Sequence, residues 1–235
     1  MSGEAIAIAA TAGGLWAGNT VLADLAIHAW PGAAVYRRDH PTHLCLTFDD
    51  GPHPEFTPRI LDILDAHGAK GTFFMVAMRA ADYLDIVYDL ERRGHEIALH
   101  GFEHRHLWSV FPGRAGEWVR AGLELLAELL ETVPRLFRPP WGKTTLEAHL
   151  AARRLGLTTV FWSVCPEGFL RRPTAEQMAE RMARRCRGGD IVCLHDNGGF
   201  PDTPVRVIQA LEQALPRLCD SGLEAVTVSE LLATR

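Results

Sequence analysis

From residue 43 onward the spacing of apolar and polar positions switches back and forth between two periods. Short runs rich in β-branched and aromatic residues, "HLCLTF", "GTFFMV", "HEIALH", "RLFR", "TTVFWSV", "DIVCLH" and "LEAVTV", predict strands. The stretches between them carry helical spacing. Over 57–68, Thr57 is placed to cap, Pro58 suits the first helical position, Ile60, Leu61 and Leu64 form a stripe, and Gly68 stops it. In "EWVRAGLELLAELLE" Trp118, Gly122, Leu125 and Leu129 share a face. Thr174 and Gln177 predict a capping box ahead of "MAERMARRC", and Thr203-Pro204 opens a further helix with Val205, Ile208, Leu211 and Leu215 inward. Strands alternating with helices imply parallel strands joined by crossovers. The expected fold is α/β, a single-domain distorted (β/α) barrel of about seven parallel strands with outer helices, one unit short of the usual eight. An open doubly wound sheet is the alternative.

The first 40 residues stand apart from this alternation. "AIAIAATAGGLWAGNTVLA", residues 5–23, carries no charge but is broken by glycines, Asn19 and two threonines. Glu4 sits where a signal peptide would carry a basic residue. Residues 1–40 are therefore expected to be an Ala-rich N-terminal segment, a helix packed on the main domain of residues 41–235. A weak membrane anchor through residues 5–23 is the alternative.

Charge removes one class of partner. The chain of 235 residues has 24 basic and 29 acidic side chains, net −5, well mixed and with no basic block. Nucleic acid is not an expected partner. A small molecule or the end of a polymer is. The five cysteines, Cys45, Cys165, Cys186, Cys193 and Cys219, are odd in number and form no C-x-x-C. Cys45 and Cys193 lie inside apolar runs and read as small core residues. This is not a disulfide framework, and it points to a reducing, cytoplasmic setting, with membrane-associated or extracytoplasmic placement as alternatives.

Polar residues cluster just after the strands. The first run ends in Asp49 and Asp50, the third runs into His100 with His104 following, the fourth ends at Arg138, and the sixth ends at His195 and Asp196. In a parallel barrel all these ends share one face, where active sites are built. Asp49, Asp50 and the Gly-Pro that follows would otherwise be a turn. His100 and His104, four apart, can present both imidazoles to one metal ion, and a carboxylate from the Asp pair completes a two-His, one-carboxylate set with open positions. Surface or packed histidines are the alternative, and His95 and His106 are read that way. The second Asp is then free to take a proton from metal-bound water, and His195 to give one to a leaving group.

These motifs together resemble the polysaccharide deacetylase family, carbohydrate esterase family 4, also called the nodulation-protein-B homology domain. The resemblance spans roughly residues 43–232. "TFDDGP" is similar to the family's first motif without change, "HGFEH" to the second in both histidines, "RPPWG" to the third and "IVCLHD" to the fifth. The resemblance implies Asp49 as catalytic base, with Arg138 orienting it, and Asp50, His100 and His104 as metal ligands. The metal would be zinc, with cobalt, nickel or manganese able to serve. It also implies backbone N–H stabilisation of an oxyanion at Pro140-Trp141 and His195 as general acid. The expected substrate is an acetylated sugar or oligosaccharide, losing an N-acetyl group to metal-activated water.

Two departures matter. Gly101 stands where the second motif has Ser or Thr, an exchange expected to affect the rigidity of that loop. The fourth motif, commonly "WSVDxxDW", reads "WSVCPEGF". Cys165 and Gly168 occupy carboxylate positions, and Phe169 replaces Trp. Without the first carboxylate, the pKa of His195 is expected to be less raised, unless Glu167, one residue out of register, substitutes. Cys165 is the other candidate partner of His195, or simple packing. Trp108, Trp141 and Phe169 are candidate groove aromatics, with core packing as the alternative. Two further readings stay open: a hydrolase of another acyl substrate (an O-acetyl sugar, a lipid-linked sugar or a small amide), and an inactive glycan-binding relative.

Overall fold

The structure, a computed structural model, describes residues 13–110, 113–168, 172–200 and 202–234. Seven parallel strands form the sheet: β1 (His43–Asp49), β2 (Gly71–Met75), β3 (Glu96–Leu99), β4 (Leu136–Phe137), β5 (Thr158–Thr159), β6 (Ile191–His195) and β7 (Glu224–Ala225). Their order is β5-β4-β3-β2-β1-β6, with β7 paired to the first residues of β1. The sheet curls towards closure. Beyond β5 the chain reaches β6 through the Val164–Val192 bridge, while Val35 bridges Val160 and Arg37 bridges Asp190. The distorted barrel expected from the strand count is the fold observed.

Strands β4 and β5 are much shorter than their apolar runs. Pro134 and Pro139 flank β4 and supply no N–H to a ladder. The "TTVFWSV" run leaves β5 after Thr159 and bends so that Ser163 and Val164 donate to the Ile191 carbonyl. Helix α2 (Phe56–Ala66) begins before Thr57, which is buried inside it and does not serve as its N-cap. The Thr174–Gln177 capping box is formed as expected, at the start of α7 (Ala175–Arg185). In α5 (Ala115–Leu129) the buried face runs through Trp118, Val119, Gly122, Leu123 and Leu126, with Leu125 and Leu129 at its margin. In α8 (Thr203–Asp220) Val207 is buried and Val205 only half-buried.

Alternation along the strands builds two cores. Leu44, Leu46 and Phe48 of β1 face outward and join Val192 and Leu194 of β6 under the surrounding helices. Burying each such side chain stabilises the fold by roughly 1.5–3 kcal/mol. The intervening residues face inward. Cys45, Phe74, Ala98, Leu136, Val160 and Ile191 fill the lower interior, closed from below by Val228 and Leu231 of α9 (Val228–Ala233). One residue pair further up β1 and β6, the interior turns polar. Thr47 pairs in register with Cys193, and Asp49 with His195.

The N-terminal residues described form a helix over 13–29, π-helical at Gly18–Leu22, ending in α1 (Ala23–Ala29). It packs on the domain near the Pro140–Gly142 turn, through Asp24 and His28. Residues 5–12 of the candidate anchor, and Phe169, lie outside the described residues. Among the described residues no helix is long and apolar enough to cross a membrane.

Candidate active site

The upper ends of β1, β3, β4 and β6 surround a cavity of about 640 Å³. Asp49, Asp50, His100, His104, His195, Trp141, Cys165 and Glu167 all line it, while Arg138 lies behind Asp49. The topology brings together residues separated by nearly 150 positions in the chain because β1 is flanked by β2 on one side and β6 on the other.

The two adjacent carboxylates have different partners. Asp49, the last residue of β1, points into the barrel. Its Oδ1 accepts from Arg138 Nη1 at 2.6 Å, and its Oδ2 accepts from the Cys193 thiol at 3.6 Å. Arg138 is fully buried. Thr47 Oγ1 and the carbonyls of Val160 and Phe161 accept from three more of its five N–H groups, and its guanidinium lies 3.9 Å over the Phe74 ring. A buried cation with its donors paired in this way is fixed in place and fixes the carboxylate with it. Asp50 adopts a positive φ of 74°, which turns its side chain away from Asp49 and towards the histidines.

Asp50 Oδ1 lies 3.2 Å from His100 Nε2 and 2.9 Å from His104 Nε2. His100 Nδ1 is 2.8 Å from the Arg138 carbonyl oxygen, which can only accept, so that nitrogen carries the proton. In the neutral ring Nε2 is then a lone pair facing a carboxylate oxygen. Burial acts to raise the Asp50 carboxyl pKa; when the two imidazoles are protonated, their hydrogen bonds outweigh it and hold the group well below the usual carboxylate range. Acceptors converging on one point fit a divalent cation, and two imidazoles with one carboxylate suit zinc or a neighbouring transition metal.

His195, at the end of β6, is held by a residue the fourth motif displaced. Glu167 Oε2 lies 2.7 Å from His195 Nδ1, and Glu167 Oε1 accepts the His195 backbone N–H at 2.8 Å. Burial lowers the imidazole pKa, but the Glu167 charge and hydrogen bond outweigh it, with Asp50 and Asp49 adding to them, and raise it to about 10. Of the alternatives the altered fourth motif left open, Glu167 is the group placed against His195. Glu167 reaches the ring from one position out of register because the chain leaves β6 after Val164 and turns at Pro166-Glu167. Cys165 is not the partner of His195. It lies beside Cys193, set there by the Val164–Val192 bridge.

Gly101 also departs from expectation. Its φ is +105°, its carbonyl accepts from the Ala77 N–H at 2.9 Å, and a Cβ there would meet Trp118 at 1.7 Å. The loop that presents His100 and His104 is pinned by an indole in the space where a Ser or Thr side chain would start.

Trp141 has a positive φ of 56°, and its ring lies 4.1 Å from the His104 ring, tilted at 44° to it. In its turn the Gly142 and Lys143 N–H groups donate back to the Pro139 and Pro140 carbonyls, leaving the Trp141 N–H outside the turn's own hydrogen bonds. Trp108 is not among the pocket residues, and its indole N–H donates to the Thr144 carbonyl. His95 lies at the opposite end of the barrel, accepting from the Gly71 N–H at the foot of β2, and His106 accepts from the Trp108 N–H. Sequence reasoning missed Arg79, which lines the pocket and donates to the Asp50 carbonyl oxygen. It also missed the approach of Cys193 to Asp49. The i, i+2 spacing from His195 was the available signal.

The chain matches the family model described as polysaccharide deacetylase over residues 37–160. It is 33% identical over 191 residues to a peptidoglycan-N-acetylglucosamine deacetylase of Bacillus cereus, covering 80% of this chain and 87% of the relative. It is 30% identical over 197 residues to a chitooligosaccharide deacetylase of Bradyrhizobium sp., covering 79% and 89%. Its fold superposes with a TM-score of 0.77 on the crystal structure of a peptidoglycan N-acetylglucosamine deacetylase, 27% identical, over 86% of this chain and 94% of the other.

Proposed function

Since the chain belongs to the polysaccharide deacetylase family, we propose that it hydrolyses the N-acetyl amide of an amino-sugar glycan. The observation that carries this reading is the pairing of Asp49 with His195 across β1 and β6, beside the Asp50, His100 and His104 set. A base and an acid held on adjacent strands can serve the two proton transfers of amide hydrolysis on one substrate carbonyl. The relatives' activities on peptidoglycan and chitooligosaccharides support an acetylated glycan as substrate.

In this reading Asp49 takes the proton of the attacking water. Arg138 holds it aimed into the cavity. His195, kept charged by Glu167, gives its proton to the departing amine, which would otherwise be too poor a leaving group. The Trp141 N–H donates to the oxygen that gains charge as water adds to the carbonyl. Asp50, His100 and His104 would hold the divalent cation, which when bound acidifies water and polarises the acetyl carbonyl.

The test is acetate release from N-acetylated chito-oligosaccharides, peptidoglycan fragments and acetyl esters, each with zinc and with chelator. Chelator-sensitive release from the amides is expected, with esters cleaved more slowly. Absence of release from every amide, with metal confirmed bound, would overturn the reading.

A further inference from the structure

A second group of donor atoms lies beside the first, on the inner wall between β1, β6 and the segment that bridges to β6. A carboxylate oxygen of Asp49, the Cys193 sulfur and a ring nitrogen of His195 lie within 4.8 Å of one another. Cys165 lines the same cavity but stands outside this group of three. The Val164–Val192 bridge and the Cys193 N–H bond to the Val164 carbonyl, 2.9 Å long, set Cys165 beside Cys193 in register. Both side chains line the cavity, and half-buried Cys165 is the donor that turns in to join the other three. Each remaining donor is already oriented. Arg138 takes Asp49 Oδ1 and leaves Oδ2 towards Cys193. Glu167 takes His195 Nδ1 and leaves Nε2, the arrangement in which a carboxylate behind an imidazole supports a metal-binding nitrogen.

We propose that Cys165, Cys193, His195 and Asp49 form a second, thiophilic cation site that takes a soft divalent ion such as Zn2+ or Cd2+. Two sulfurs distinguish it from the nitrogen and oxygen donors of Asp50, His100 and His104, and sulfur selects soft ions. Binding releases the thiol protons and the His195 Nε2 proton, so it competes with the charged imidazole and tightens as pH rises. The consequence for hydrolysis rests on the proposed function. An ion here occupies the base and the acid together, so excess soft cation stops turnover that a first equivalent supports.

The experiment is equilibrium dialysis of the full chain against Cd2+ under a phosphine reductant, with the ultraviolet cadmium–thiolate band recorded alongside. Wild type should hold about two Cd2+ per chain with the band, and Cys165→Ser about one without it. Cys193→Ala should behave as Cys165→Ser does, with circular dichroism checking its fold. Because Cys165 is only half-buried, its variant keeps the test intact if the Cys193 variant misfolds. A wild type that holds about one Cd2+ and shows no band overturns the proposal. So does a band that survives in the Cys165→Ser/Cys193→Ala double variant, since it would then come from Cys45, Cys186 or Cys219. One Cd2+ with a band in wild type and none in the double variant would support the thiol site while removing the Asp50–His100–His104 cation from the proposed function.

Discussion

Asp49 and Asp50 are neighbours in the chain but differ in what they meet, one a buried guanidinium and the other two imidazoles. Asp50→Ala is expected to lose the cation, and with it turnover. Asp49→Ala is expected to keep it and lose about 10²-fold or more in turnover. Metal content of the two purified variants separates these roles, and an empty site in Asp49→Ala would sink the division. His195 gives a pH prediction with a definite sign. Its folded pKa, raised to about 10, lies above the ordinary value. The charged acid is thus present at neutral pH and lost as pH rises through about 10. The stability of the Glu167 pair follows the same course, complete below an ordinary histidine pKa of about 6.5 and gone above the folded value. Glu167→Gln should bring the alkaline limb of the pH–rate profile down by a unit or more. Cys165→Asp should leave that limb where it is, since Glu167 already holds the ring. A limb that rises in Cys165→Asp would show that Glu167 supports His195 incompletely.

At the scale of elements, the strands were legible where alternation was unbroken, as in β1 and β6, and were overestimated where prolines or a bend cut the ladder, as around β4 and β5. The helix faces of α5 and α8 were read with their margins misplaced, since Leu125, Leu129 and Val205 are only half-buried, because tertiary contact, more than apolar spacing, decides which margin is covered. The capping box of α7 was readable because it depends on local hydrogen bonds alone. Thr174→Ala removes the bond that its hydroxyl accepts from the Gln177 N–H, while the backbone N–H of residue 174 keeps its bond to Gln177 Oε1, and should cost about 1 kcal/mol with activity unchanged, read as a lower Tm. The loop after β3 was not readable in this way. That Gly101 is required there depends on Trp118, seventeen residues away on α5. Gly101→Ser must adopt a positive φ and displace an indole, so a loss of roughly 2 kcal/mol or more is expected in chemical denaturation. A Gly101→Ser variant as stable as wild type would show that the indole moves freely.

Over the whole molecule, the convergence of four strand ends could be anticipated from parallel topology alone, and so could the positions of Asp49, Asp50, His100, His104 and His195. Of the supports behind them, Arg138 and Glu167 were named in advance through the family resemblance, and Cys193 left only its spacing from His195 as a signal. Arg79 reaches the site through loop direction, which no local pattern records. The Asp24 contact of the N-terminal helix is of this kind too. Buried Asp24 accepts the Thr144 N–H at 2.9 Å and the Lys143 ammonium at 3.0 Å, just beyond the Pro140–Gly142 turn. Asp24→Ala leaves the Thr144 N–H buried and unpaired, a cost of roughly 1–3 kcal/mol. Tm should fall accordingly, and the KM for an acetylated oligosaccharide should rise as the turn loosens. An unchanged KM alongside a lower Tm would confine the helix to stability.

The contact between Trp141 and His104 has an optical consequence. An indole 54% exposed, with an imidazole 4.1 Å away, emits light according to the electronic state of that imidazole. Loading or stripping the cation that His104 would hold should change the protein's intrinsic fluorescence, and Trp141→Phe should abolish the change. The protein then reports its own occupancy in a cuvette, with no substrate and no knowledge of which sugar it cleaves.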